Sequence, residues 1–96
     1  MNVVHKYPLQ ITVEQTVQMP VTAHVIHADA QHGTPTLWAI HSDPAASEPR
    51  RFYIFGTGHQ FERTIDGHHL GHRGSVLLQN GGLVLHIFEA VPEPPF

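Results

Sequence analysis

The pair Asn80-Gly81 constrains this chain more than any other two residues. Both residues enter the left-handed backbone region at low cost, and they lie between two stretches of alternating apolar residues, 74–79 and 82–89. A hairpin turning at 80–81 pairs residues whose numbers sum to 161. Val76 then faces Leu85, Leu78 faces Leu83, and Ile87 continues the same face, which is the predicted core. The opposite face carries Arg73, Ser75, Leu77, Val84, His86 and Phe88. It is too apolar for open water, so a second sheet layer, the C-terminal tail or a second subunit is expected to cover it.

The rest of the chain has the same grammar. Residues 3–7 read as a short strand stopped at Pro8, and 9–13 as a second short extended piece. Residues 14–18 fit either a strand or one helical turn, ended by Met19-Pro20. Segments 21–30 and 35–42 flank Gln31-His32-Gly33-Thr34, where Gly33 supplies the positive φ of a hairpin turn. A two-residue His32-Gly33 loop makes pairs sum to 65. Ala28 then opposes Leu37, Ile26 opposes Ala39 and His24 opposes His41, with Val25, His27, Trp38 and Ile40 on the other face. Residues 43–49 read as an exposed, proline-bounded loop. The run Arg50-Arg51-Phe52-Tyr53-Ile54-Phe55 follows, apolar on both alternate faces from Phe52 onward, as a central strand is. Asp66-Gly67 marks a turn within a loop at 60–69 that has room for one helical turn. Residues 91–96, Val-Pro-Glu-Pro-Pro-Phe, predict an extended proline-rich tail.

Short strands, glycine and proline punctuation and no helical crossovers predict an all-β protein. The expected architecture is a small antiparallel sandwich or partly open barrel of about six to seven strands, with little or no helix. Ninety-six residues predict a single domain over 1–90 followed by the tail at 91–96. One core of that size leaves stability marginal, and only 14% of residues are charged, so a homodimer is expected. There is no cysteine, hence neither a disulfide nor a thiolate metal site. No apolar run approaches membrane-spanning length, which predicts a cytoplasmic protein without membrane association. A formal charge of −3 argues against binding nucleic acid through its phosphates. Ten histidines qualify this, since protonating all of them moves the charge from −3 to +7.

The histidines are also the first place to look for chemistry. His24 and His41, paired across strands, would approach closely enough to share a zinc, with a third ligand from His68, His69 or His72. Cys/His spacing signatures are missing, so no metal and no cofactor are predicted. Ser75 beside His86 suggests a nucleophile–base pair, but no third member or strained elbow accompanies it. The carboxylates are sparse and form no glycosidase-type couple. The residues therefore predict no enzyme. Gly56-Thr57-Gly58-His59, which closes the aromatic run, reads as a tight turn or bulge first and as an anion-binding nest second. The candidate binding residues are Arg50, Arg51, Tyr53, Gly56, Thr57, Gly58, His59 and Arg63.

Several stretches are similar in order to a known family. They are His5-Lys6-Tyr7-Pro8-Leu9, Glu14-Gln15-Thr16-Val17 with Met19-Pro20, Leu37-Trp38-Ala39-Ile40, Phe52 through His59, Leu70-Gly71, and Gly81 through Glu89. On these the chain resembles small uncharacterised proteins encoded by tailed bacteriophages and prophages, a domain of unknown function. The resemblance covers nearly the whole chain to Glu89 and leaves out most of the histidines and the tail. It implies a phage accessory protein acting in the host bacterial cytoplasm. The expectation is a non-enzymatic binding protein that occupies the surface of a host defence component, such as a CRISPR-type or other immune system. Two other expectations compete with it. One is a sponge for a nucleotide immune signal, held between protomers by the Gly56-Thr57-Gly58-His59 turn and by Trp38 or Tyr53. The other is a virion or morphogenesis component.

Overall fold

The computed structural model describes residues 1–42 and 46–92. Within them the chain forms eight strands: β1 (Asn2–Pro8), β2 (Glu14–Pro20), β3 (His24–Gln31), β4 (Thr34–Ser42), β5 (Ser47–Gly56), β6 (Thr64–Ile65), β7 (His68–Leu78) and β8 (Leu83–Pro92). The one helical element among the described residues is a three-residue 3₁₀ turn, Gln79–Gly81. The all-β expectation holds, with eight strands where six to seven were expected. The additional strands are the two-residue β6 and an unambiguous β2.

The strands make two antiparallel sheets, ordered β1-β4-β3 and β2-β5-β8-β7-β6. Their facing sides share one core. Leu37 and Ala39 of the smaller sheet meet Phe52, Ile54, Val76, Leu85 and Ile87 of the larger, with Met19 and Leu9 closing the cluster. Fully burying a side chain of this size stabilises a fold by roughly 1.5–3 kcal/mol, so this cluster is where the two sheets are held together.

The last hairpin follows the predicted register, Val76 opposite Leu85 and Leu78 opposite Leu83. Its connection is longer than two residues: Gln79 and Asn80 both take positive φ (54° and 55°), followed by Gly81 at 86°. Beyond His72 the register shifts by one at a bulge, so that Gly74 faces Ile87. Asp66 (φ 52°) and Gly67 (φ 73°) form the predicted turn, and it joins β6 to β7.

The first hairpin corrects the sequence reading. Ala28 faces Leu37 and His27 faces Trp38 as expected, but Val25, not Ile26, faces Ala39. Ile26 is an extra residue bulged out of the ladder, and a one-residue insertion exchanges the faces of everything before it. Val25 thereby joins the core, and His24 pairs with Ile40 instead of His41. The proposed His24–His41 pair does not form. His41 is buried, with Nδ1 at 2.9 Å from the Ser42 carbonyl and Nε2 at 3.2 Å from Nδ1 of His5.

The segment at 9–13 is not a strand, whereas Leu9 is buried and its N–H donates to the Pro35 carbonyl at 2.8 Å. Of the expected loop at 43–49, residues 47–49 belong to β5, and Asp43, Pro44 and Ala45 lie outside the described residues. Of the expected tail, Val91 and Pro92 continue β8, paired with His69 and His68; Glu93 through Phe96 lie outside the described residues. Among the described residues no helix is long and apolar enough to cross a membrane.

Candidate functional site

β5 pairs with β2 on one side and β8 on the other, so its two faces look in opposite directions. Phe52 and Ile54 point into the core. Arg50 has the same parity and points the same way, toward the end of the sandwich. Its guanidinium grips Glu89 through both oxygens (Nε–Oε2 2.5 Å, Nη2–Oε1 3.0 Å) and donates from Nη1 to the Ala23 carbonyl at 2.8 Å. Arg73 adds a second guanidinium, Nε–Oε1 2.9 Å. The Glu89 side chain is 6% exposed. Burial opposes its ionisation, yet the hydrogen bonds from Arg50 and Arg73 outweigh burial and hold its carboxyl below the usual range. The hydrogen bond to Glu89 raises the Arg50 pKa further, against the opposing effect of burial. Arg50 is thus committed to tying the larger sheet to the residue that leads into β3. A cleft of about 690 Å³ opens beside it, lined by Arg50, Arg51 and Arg73 against Glu48, Asp66 and Glu89. Its charges balance, so it presents no field of one sign.

The other face of β5 carries Arg51, Tyr53 and Phe55. Tyr53 and Phe55 are each 4% exposed, packed with Leu70, Ile65, Phe88 and Ala90. They are lateral neighbours of Phe88 on the outer face of the same sheet, and no second layer covers the hairpin end of that face among the described residues: Leu77 there is 59% exposed. Phe61, which the sequence reading passed over, lies flat on Phe55 with ring centres 4.1 Å apart and planes 4° from parallel, and contacts Phe88 at 5.2 Å. His59 meets the edge of Phe55 at 5.3 Å, and His72 meets Phe88 at 5.2 Å. Phe61 remains 39% exposed. An isolated aromatic within Gln60-Phe61-Glu62-Arg63 was the available signal.

Arg51 sits over the Tyr53 ring at 5.7 Å and reaches Asp66 at 3.5 Å. The Tyr53 hydroxyl donates to Glu14 at 2.6 Å, and its burial together with that carboxylate pushes the phenol up to about 12. Gly56-Thr57-Gly58-His59 is a closed turn: the His59 N–H donates to the Gly56 carbonyl at 3.0 Å, and Gly58 supplies the positive φ of 88°. Arg63 is exposed, and its carbonyl accepts from the Leu70 N–H at 2.8 Å.

The Thr57 hydroxyl begins a chain of polar contacts. Oγ1 lies 2.7 Å from Nε2 of His86, His86 Nδ1 lies 2.7 Å from Ser75 Oγ, and Ser75 Oγ lies 3.2 Å from Nε2 of His72. Two proton arrangements satisfy it. Either Ser75 donates to His86, which donates to Thr57, or Thr57 donates to His86, which donates to Ser75 and onward to His72. Ser75 and His86 thus have the distance of a nucleophile and its base. The group behind the imidazole is a neutral hydroxyl, which fixes a tautomer but does not stabilise an imidazolium as a carboxylate would. The chain acts as a clasp holding the Gly56-to-His59 turn to β7 and β8.

The structure therefore gathers Arg51, Tyr53, Thr57 and His59 around the outer aromatic face, with the turn glycines shaping one end and Arg63 beyond Phe61. Arg50 is on the opposite face. Trp38 is in the other sheet, so within one protomer it shares no pocket with Tyr53 or the turn. Among the described residues no group of three or more His, Asp or Glu side chains is placed to hold a metal ion.

The family profile described as Domain of unknown function (DUF7352) matches residues 1–95, and the chain belongs to that family. No curated protein and no solved structure matches it.

Proposed function

We propose that this member of the family is a non-enzymatic binding protein, encoded by a phage, that acts in the host bacterial cytoplasm by occupying the surface of a defence component. The observation that carries the binding role is the outer face of the five-stranded sheet. There an exposed Phe61 is stacked on a buried aromatic cluster, with Arg51 over Tyr53 and His59 at the edge of Phe55, and exposed Arg63 follows two residues along the chain. Aromatic and arginine side chains supply most of the energy at protein interfaces, because they bury much area. The turn and the hydroxyl–imidazole clasp hold that surface in shape before a partner arrives, which lowers the ordering cost of binding. The phage and host-defence parts of the proposal rest on the sequence resemblance.

The test is genetic and uses one surface substitution. Phage carrying Phe61→Lys should plate as poorly as a gene deletion on a host with the relevant defence system, and normally on a host lacking it. Equal plating of wild type, substitution and deletion on every defended host would overturn the proposal.

A further inference from the structure

The three-stranded sheet has one face in the core and one with no cover among the described residues. The register places Val4, Ile40 and His24 in one row across the outer face, and Lys6, Trp38 and His27 in the next. Val4 is 47% exposed, and the bulged Ile26 is 52% exposed beside them. Trp38 and Ile40, although on the central strand, stay partly exposed and belong to neither apolar cluster. The Trp38 ring meets that of His27 at 5.5 Å between ring centres.

We infer that this face is the contact between two copies of the chain, an isologous dimer centred on β4. A twofold axis along β4 lays β1 of one protomer over β3 of its partner and sets Trp38 and Ile40 against their own copies. The apolar residues then fill the middle, and Lys6, His24 and Asp29 form the margin, the arrangement that a self-complementary interface requires. Charge is consistent with a second copy. The face carries one lysine, tied to Gln31 at 2.8 Å, and one aspartate. Two copies therefore bring no net charge together while their histidines are neutral, and a strongly charged partner finds no field to follow.

Size sets the strength. Three strands about 4.8 Å apart, with a span of about seven residues at about 3.3 Å each, give a footprint of roughly 330 Å² per copy, or about 670 Å² in a pair before the relief of the side chains is added. That is below the size of a standard stable interface, so the dimer is weak and reversible, with a dissociation constant on the order of 100 µM.

Sedimentation of the full chain from about 1 to 500 µM tests this directly. The expected result is a concentration-dependent shift to twice the chain mass. Emission of Trp38, the single tryptophan, should move to shorter wavelength in step. Val4→Lys at the exposed margin should raise the dissociation constant about tenfold or more with unchanged circular dichroism, and Trp38→Lys should abolish the dimer. Phe61→Lys, on the other sheet, should leave it intact. A monomer at every concentration overturns the inference, as does a dimer that survives Val4→Lys and Trp38→Lys. A dimer broken by Phe61→Lys and not by Val4→Lys also overturns it, by placing the contact on the five-stranded sheet.

Discussion

Glu89 shows how much one side chain decides here. It accepts hydrogen bonds from two guanidiniums where water scarcely reaches, so removing its charge leaves two cations sharing a partly buried site. Glu89→Gln should cost about 3 kcal/mol in urea unfolding, within the usual range for breaking a buried ion pair. The pH dependence follows from the same contacts. The folded carboxyl titrates below its ordinary value of 4.5, so its contribution is complete above that range and is lost as pH falls through the folded value. Wild type should lose stability more steeply than Glu89→Gln below about pH 4.5, measured as unfolding free energy against pH. Arg50 was legible and yet misread. It shares parity with Phe52 and Ile54, which fixes it on the core face, but two apolar faces in the run after it hid that parity. Its partner Glu89 lies 39 residues away, a pairing that only the β5–β8 register creates.

Between elements, β7 passes close to β3 at Gly74. A Cβ built on Gly74 would lie 2.5 Å from the Ala28 Cβ, and Gly74 has φ of 150°. Gly74→Ala should therefore destabilise by about 2 kcal/mol or more, and Ala28→Gly should recover a substantial part of it in the double mutant. A double mutant no better than the sum of its parts would mean that the backbone, not the contact, sets the cost. Turns and strands were largely readable, because Asn80-Gly81, Gly33 and Asp66-Gly67 carry their conformational preferences locally. The Ile26 bulge was not. It depends on which neighbour offers a better core position, Val25 or Ile26, and nothing within 24–31 states that choice. The aromatic face was half legible: Tyr53, Phe55 and Phe88 follow from alternation, whereas Phe61 reaches them from a loop whose path the sequence does not encode.

At the scale of the molecule, half of the strand pairings join strands distant in sequence: β1 pairs with β4, β2 with β5, and β5 with β8. Closing such long loops before any contact rewards them makes folding slow, in the millisecond-to-second range typical of β-sandwiches. The position of β8 adds something further. It is the last of the eight strands and stands in the middle of the larger sheet, hydrogen-bonded to β5 on one side and β7 on the other. While a ribosome is still synthesising residues before Leu83, β5 and β7 have no strand between them, and Arg50 and Arg73 have no Glu89. The larger sheet is therefore assembled only once β8 has been translated, so the aromatic run at 52–55 waits uncovered on its β8 side while residues 56–92 are made.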